Sequence, residues 1–245
     1  MDGLEFLDTL NPAQREAAET TEGYIRVIAG AGSGKTKTLT ARYLYLVQAL
    51  GVSTANILCV TFTNKAADEL KDRIERMLGP EAAADIWAST FHSACVRILR
   101  RDIEKLGFSS RFTIYDTDDS KRVIKDILKE MGLEEKTFSV REVLSVISNA
   151  KDAMMMPEEF SQLWEQRGDW RRVRMGRVYA AYNRRLRDAN ALDFDDIILH
   201  TVELLQSDRQ TLEYYRNKFR YVLIDEYQDT NHMQYMLASL LAGGR

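Results

Sequence analysis

Tyr24-Ile25-Arg26-Val27-Ile28-Ala29-Gly30-Ala31-Gly32-Ser33-Gly34-Lys35-Thr36 joins a short β-branched run to a glycine-rich loop that ends in Lys-Thr. The run has the composition of a strand and the glycines that of a tight turn, so strand, loop and helix are predicted in that order. Behind Thr36, the residues Leu39, Tyr43, Leu46, Val47 and Leu50 fall on one face of a helix that Gly51 ends. A loop of this kind, set at a helix N-terminus, turns backbone N–H groups inward around phosphate oxygens. Lys35 is then placed to reach the β- and γ-phosphates of a nucleotide, and the Thr36 hydroxyl to ligate Mg²⁺. The consensus G-x-x-x-x-G-K-[ST] is met except at its first position, Ala29, where the cradle tolerates a methyl because the later glycines make the closest approach.

Outward from this stretch the pattern repeats. A second strand is predicted over Ile57 to Phe62, then a helix from about Lys65 to Leu78 closed by Gly79-Pro80. A short strand near Ile86-Trp87-Ala88 and a helix carrying Val96, Ile98 and Leu99 follow. Strands alternating with helices imply a parallel α/β sheet. After about Ser109 only Phe112-Thr113-Ile114-Tyr115 reads as strand, and an inserted helical subdomain is the simplest account of the next 75 or so residues. Within it Ser139 and Glu142 suggest a capping box, and Met175, Val178, Tyr179, Tyr182 and Leu186 form an apolar stripe. From Arg167 to Arg187 there are eight arginines against one acid, Asp169, although the whole chain carries a formal charge of only -3. That arginine face is a candidate for phosphate contacts. The methionines 154–156, with Trp164 and Trp170, read as packing between helices.

Past Leu192 the α/β texture returns, with a helix from about Phe194 to Leu205, another ending near Asn217, and the strand Tyr221-Val222-Leu223-Ile224 running into Asp225-Glu226. Acids directly after a buried strand, opposite a phosphate loop, suit metal and water chemistry: Asp225 to hold Mg²⁺ through water and Glu226 to polarise the attacking water. Composition narrows the class further. No apolar run approaches the roughly 18 residues of a membrane span, the first residues lack a signal-peptide pattern, and a cytoplasmic address without membrane contact is the default. Cys59 and Cys95 lie far apart with no Cys-x-x-Cys, which disfavours a disulfide framework or a zinc site.

Six motifs in order carry a resemblance. They are Leu10-Asn11-Pro12-Ala13-Gln14, Ala29 to Thr36, Val60-Thr61-Phe62-Thr63-Asn64-Lys65-Ala66-Ala67, Ser89-Thr90-Phe91-His92-Ser93, Leu192-Asp193-Phe194-Asp195-Asp196 and Ile224-Asp225-Glu226-Tyr227-Gln228-Asp229-Thr230-Asn231. In order and spacing they resemble the superfamily 1 DNA helicases of the UvrD/Rep/PcrA type. The resemblance implies a RecA-like P-loop parallel sheet with an inserted all-helical subdomain: a motor domain over 1–108 and 190–245, and an accessory subdomain over 109–189. It implies ATP and Mg²⁺ as cofactors, with Gln14 reading the adenine and Ala29, Gly30, Ala31, Gly32, Ser33, Gly34, Lys35, Thr36 and Lys37 around the nucleotide. It also implies a single-stranded DNA track along Thr61, Phe62, Thr63, Asn64, Thr90, His92 and Phe194, in which aromatics stack bases and hydroxyls or amides hold phosphates. DNA junctions are further partners.

The resemblance implies a 3′-to-5′ translocase whose sensor strand and second motor domain would follow Arg245, so that the present chain would bind nucleotide and turn it over slowly alone. A sheet in which the strand before the phosphate loop paired directly with the strand ending at Asp225 would contradict this. Two alternatives stay open: the helicase portion of a helicase-nuclease, and a nucleotide-controlled DNA-binding module without motor activity.

Overall fold

Hydrogen bonding joins three of the predicted strands into one parallel sheet, and helices form nearly everywhere else. The structure is a computed structural model that describes residues 4–30, 32–83, 85–134 and 136–243, apart from the side chains of Ala82 and Ala83. In chain order the elements are α1 (Pro12–Glu19), α2 (Lys35–Gln48), β1 (Ile57–Thr61), α3 (Asn64–Leu78), α4 (Pro80–Ala83), β2 (Trp87–Thr90) and α5 (Phe91–Asp102). There follow β3 (Thr113–Ile114), α6 (Thr117–Glu130), α7 (Val140–Asp152), α8 (Pro157–Gln166), α9 (Trp170–Asp188) and β4 (Ala191–Leu192). The chain continues with α10 (Phe194–Ser207), α11 (Arg209–Lys218), β5 (Tyr221–Ile224) and α12 (His232–Ala242). Among the described residues no helix is long and apolar enough to cross a membrane.

The molecule divides into two compact units. One comprises Met1–Ala94, Leu212–Thr230 and Ala238–Arg245; the other comprises Cys95–Thr211 and Asn231–Leu237. In the first, the strands run in the order β2-β1-β5, with Cys59 opposite Ala88 on one side and Leu223 on the other. Every residue of β1 is buried, because a central parallel strand is covered on both faces, and this is why Ile-Leu-Cys-Val reads as an unbroken apolar run. Tyr43 and Leu46 of α2 and Leu70 and Ile74 of α3 pack with Ile57, Cys59, Ala88 and Leu223 of the sheet.

The predicted strand over 24–29 does not form. Residues 24–30 carry no regular hydrogen-bonded structure, and Tyr24 and Ile28 are 78% and 84% exposed. β-branched residues favour extended backbone, but a strand exists only by pairing, and among the described residues neither β1 nor β5 pairs with this segment. The segment and β5 are therefore not directly paired.

The second unit is built on one core in which Ile124, Ile127 and Leu128 of α6, Val143 and Ile147 of α7, Phe160 of α8 and the α9 stripe Met175, Val178, Tyr179, Tyr182 and Leu186 are buried together. It is not wholly helical. Thr113 and Ile114 pair in parallel with Ala191 and Leu192, so the expected all-helical insert is tied at its entry and exit by a two-stranded sheet. Ser139 caps α7 by accepting the Glu142 N–H, but the return half of the capping box is missing. The Glu142 carboxylate instead takes both Arg171 nitrogens at 2.6 Å, since a bidentate charged pair outcompetes a bond to a backbone N–H. Trp164 packs against the core, whereas Trp170, expected to pack, is exposed beside Phe138 with Arg174 over its ring.

Within the same unit, Asp208 accepts from Lys105 Nζ at 2.9 Å and from the Thr211 N–H at 2.6 Å. Lys105 first, then Thr211, hold its carboxyl down from 3.8 to about 2. A depressed folded value means that this contribution to stability is complete above the unfolded pKa and is lost as pH falls through the folded one. Side-chain NMR titration is expected to give Asp208 a midpoint near 2 in the parent, moving up toward the ordinary carboxylate range in Lys105→Ala.

Candidate nucleotide site and DNA-facing residues

The loop before α2 has the backbone its glycines were expected to supply. Gly32 and Gly34 sit at φ +73° and +86°, in the left-handed region that a side chain resists. Gly34 is also the N-cap of α2 and offers no side-chain cap, so the first N–H groups of the helix lack the partner that Ser, Thr or Asp usually gives them. Ser33 closes the loop through its hydroxyl on the Gly30 carbonyl at 2.7 Å. Ala29 is half-buried and Gly30 exposed at the loop entrance; Ala31 lies outside the described residues.

Gln14 lies against this loop. It donates through Nε2 to the Ser33 carbonyl at 2.9 Å, and through Oε1 it accepts the Asn11 N–H at 3.1 Å, completing the capping box of α1. One amide hydrogen and one lone pair remain for a base edge. A Cβ on Gly34 would stand 2.7 Å from Gln14 Nε2, so Gly34 answers two demands, backbone conformation and the approach of this amide. Lys37 is exposed and donates to the Thr9 carbonyl. With Phe6, Leu10 and Leu44 it lines a cleft of about 320 Å³. Phe6 carried no sequence signal, because only folding brings it beside α2.

Lys35 starts α2, and its Nζ lies 3.5 Å from Glu226 Oε2 just beyond β5. Asp225 is fixed by its N–H on the Val60 carbonyl at 2.9 Å. Glu226 stands at φ +49°, a costly conformation for a non-glycine residue and of the kind that concentrates at functional sites. Its carboxylate accepts from Gln228 Nε2, a residue to which the sequence alone assigns no role. The Gln228 hydrogen bond first, and Lys35 after it, hold Glu226 below its ordinary pKa, while burial and then the neighbouring Glu226 raise Asp225. The two adjacent acids are thus shifted in opposite directions from their ordinary pKa values.

The oxygens suit Mg²⁺. The Thr36 hydroxyl makes no hydrogen bond among the described residues, and Asp225 is a carboxylate whose raised pKa marks a place where positive charge is wanted. No cluster of three or more His, Cys, Asp or Glu occurs among the described residues.

The residues expected along DNA fall in both units. In the first unit, Thr61 of β1 is registered with Thr90 of β2 at the C-terminal ends of adjacent parallel strands. Phe62 is half-buried, with its ring edge-on to Phe91 at 5.6 Å. Thr63 and Asn64 are exposed, and Thr63 caps α3 by accepting the Ala66 N–H. Thr90 accepts the Ser93 N–H and lies 3.0 Å from the Ser93 hydroxyl, and His92 is half-buried. Thr61 differs from the surface role expected of it: it is 1% exposed and its hydroxyl bonds to the Thr63 carbonyl, so it shapes the loop from inside. Phe194 is in the second unit, 52% exposed at the start of α10.

Six of the eight arginines on the basic stretch already have partners. Arg171 and Arg185 pair with Glu142 and Glu130, and Arg172 with Asp169. Arg172 and Arg167 also lie over Trp164, Arg174 over Trp170 and Arg187 over Phe108. Arg177 and Arg184, two turns apart on α9, are exposed with no ion pair or ring contact among the described residues. The candidate for phosphate contacts narrows to these two.

Comparison with known proteins adds a family. The model for the UvrD/REP helicase N-terminal domain matches residues 10–245. The chain is 50% identical over 238 residues to the ATP-dependent DNA helicase PcrA of Bacillus subtilis (strain 168), covering 97% of this chain and 32% of that protein. It is 49% identical to the PcrA of Staphylococcus epidermidis and 47% identical to that of Staphylococcus aureus, each over 237 residues with the same coverage. The chain thus spans about a third of the length of the curated relatives it matches.

Proposed function

The chain belongs to the UvrD/REP helicase family, and on that premise we propose that it is the ATP-binding and single-stranded-DNA-binding part of an ATP-dependent DNA helicase that moves 3′-to-5′. Residues 1–108 and 190–245 are read as its first motor domain and 109–189 as the accessory subdomain, with a second motor domain of the same parent protein and DNA junctions as partners. The observation that carries the reading is the 3.5 Å approach of Lys35 to Glu226, which brings the phosphate loop beside the acids after β5.

In the present structure Lys35 is paired with Glu226. A triphosphate on the α2 N-terminus supplies more negative charge than one carboxylate, so Lys35 transfers to the β- and γ-phosphates and releases Glu226. Glu226, held below its ordinary pKa, is ionised at neutral pH and accepts a proton from the attacking water while Gln228 fixes its orientation. Thr36 and Asp225 would hold Mg²⁺, which when bound neutralises charge on the phosphates. Gln14 offers its remaining donor and acceptor to adenine, and the apolar cleft with Lys37 on its wall gives the base a floor. Phe62, Thr63, Asn64, Thr90, His92 and Phe194 take single-stranded DNA, with Thr61 behind the loop and Arg177 and Arg184 as phosphate contacts.

The test is direct binding of Mg-ATP and of a labelled oligonucleotide. Lys35→Ala removes a charge-assisted contact to phosphate, and its expected cost is about 2–4 kcal/mol, a 30- to 1,000-fold weaker Kd for Mg-ATP. Oligonucleotide affinity without nucleotide is expected to be unchanged. Equal nucleotide affinity in the parent and in Lys35→Ala would remove the phosphate-loop assignment.

A further inference from the structure

Lys151, at the end of α7, is 0% exposed. Its Nζ lies 2.7 Å from Asp193 Oδ2 and 2.6 Å from Asp196 Oδ1, and the Tyr182 hydroxyl donates to the same Asp193 oxygen at 2.9 Å. The remaining oxygens are also taken. Asp193 Oδ1 accepts the Asp196 N–H at 2.8 Å, and Asp196 Oδ2 accepts the Asp193 N–H at 3.2 Å. His200 Nε2 stands 3.9 Å from Asp196 while its Nδ1 is bonded to Glu203. Asp193 and Asp196 are therefore turned inward and held in place, while Phe194 between them is outward and half-exposed. Its ring forms part of the wall of a cleft of about 250 Å³ with Tyr115, Ser145, Ser148 and Asp195.

The capping box needs no lysine, since the two aspartates and their own N–H groups complete it. Nor does a buried ion pair by itself favour the fold over apolar side chains of similar size, because desolvating the charges offsets their attraction. What the lysine adds is a fixed direction. It clamps the residues on both sides of Phe194 to the last turn of α7, whose Ile147 and Ala150 are set in the core.

We propose that Lys151 is a positioning residue for single-stranded DNA: from inside the second unit it fixes the first turn of α10 so that Phe194 presents its ring to a base. The proposal rests on the reading of Phe194 as a DNA contact. A base stacked on an aromatic ring contributes enough that loss of the ring weakens binding by roughly tenfold or more, and loss of its orientation weakens binding by a large part of that factor.

The experiment is a double-mutant cycle on the 245-residue chain, read by anisotropy of a labelled oligothymidine, with folding followed by circular dichroism and Mg-ATP affinity as the control. Phe194→Ala is expected to weaken oligonucleotide binding roughly tenfold, and Lys151→Met severalfold. The double variant is expected to be no weaker than Phe194→Ala, with Mg-ATP affinity unchanged throughout. A merely structural lysine gives losses that multiply, and that result overturns the proposal. A folded Lys151→Met with full affinity overturns it as well, provided Phe194→Ala shows its loss. A Phe194→Ala without loss removes the DNA reading of Phe194, and the proposal goes with it. If Lys151→Met does not fold, Tyr182→Phe deletes one hydrogen bond to Asp193 and keeps the ring. It is expected to weaken binding two- to threefold in the Phe194 background of the parent and not at all in Phe194→Ala; a loss of equal size in both backgrounds, or in neither, overturns the proposal.

Discussion

A Glu226→Gln variant is expected to bind Mg-ATP as tightly as the parent chain and to hydrolyse it about 10²–10⁴ times more slowly. The amide keeps the size and the hydrogen-bonding reach of the carboxylate, so the pocket and the left-handed backbone at Glu226 are retained, but it cannot take a proton from water. It also loses the charge that Lys35 faces at 3.5 Å, and with it the pairing that a triphosphate must displace, so binding holds or tightens slightly. Single-turnover hydrolysis with enzyme in excess, with and without single-stranded DNA, resolves the slow rates expected of this chain. Turnover that rises with DNA and disappears in the variant makes the chain catalytic and coupled to its track. Binding with turnover equal in parent and variant means that catalysis draws on groups outside these 245 residues.

Lys151→Met is expected to lower the unfolding free energy of the second unit by about 3–5 kcal/mol at neutral pH, because it leaves Asp193 and Asp196 buried without their cation. The pH dependence gives this prediction its sign. In the parent, burial raises Asp193, but Lys151, the Asp196 N–H and the Tyr182 hydroxyl together outweigh it, and Asp193 lies below its ordinary value. Its contribution is therefore present above the unfolded pKa and is lost as pH falls through the folded one. Asp196 is raised, burial being the larger influence, and burial against the nearby carboxylates is overcome in favour of charge at Lys151, which is raised. Without the lysine both carboxylates favour protonation in the folded state, so the deficit of the variant shrinks as pH is lowered toward 4. Urea unfolding of parent and variant at neutral and mildly acid pH measures this. A deficit that is constant with pH would mean that lost packing, and not uncompensated charge, is the cause.

Local physics made much of this protein legible in its sequence. Left-handed backbone is open to glycine and resisted by other residues, so Gly32 and Gly34 announced a tight turn at the head of α2. The continuous apolar run of β1 announced a covered parallel strand, and helix periodicity announced the buried stripe of α9 from Met175 to Leu186. These features depend on sterics and solvation within a few residues, and the sequence contains them in full.

Tertiary structure decided whatever depends on a partner distant in the chain. Residues 24–29 have strand composition and no strand, because hydrogen-bonded extension requires a neighbour that composition does not supply. Arginines that sum to a basic face were partly taken up by Glu142, Glu130 and the Phe108 ring, partners that only folding brings to them. Lys151, unremarked in its helix, became the centre of a buried cluster by meeting aspartates more than 40 positions away. A charge in a sequence is solvated until the fold removes the water, and the partner it then needs is set by packing and not by its neighbours in the chain.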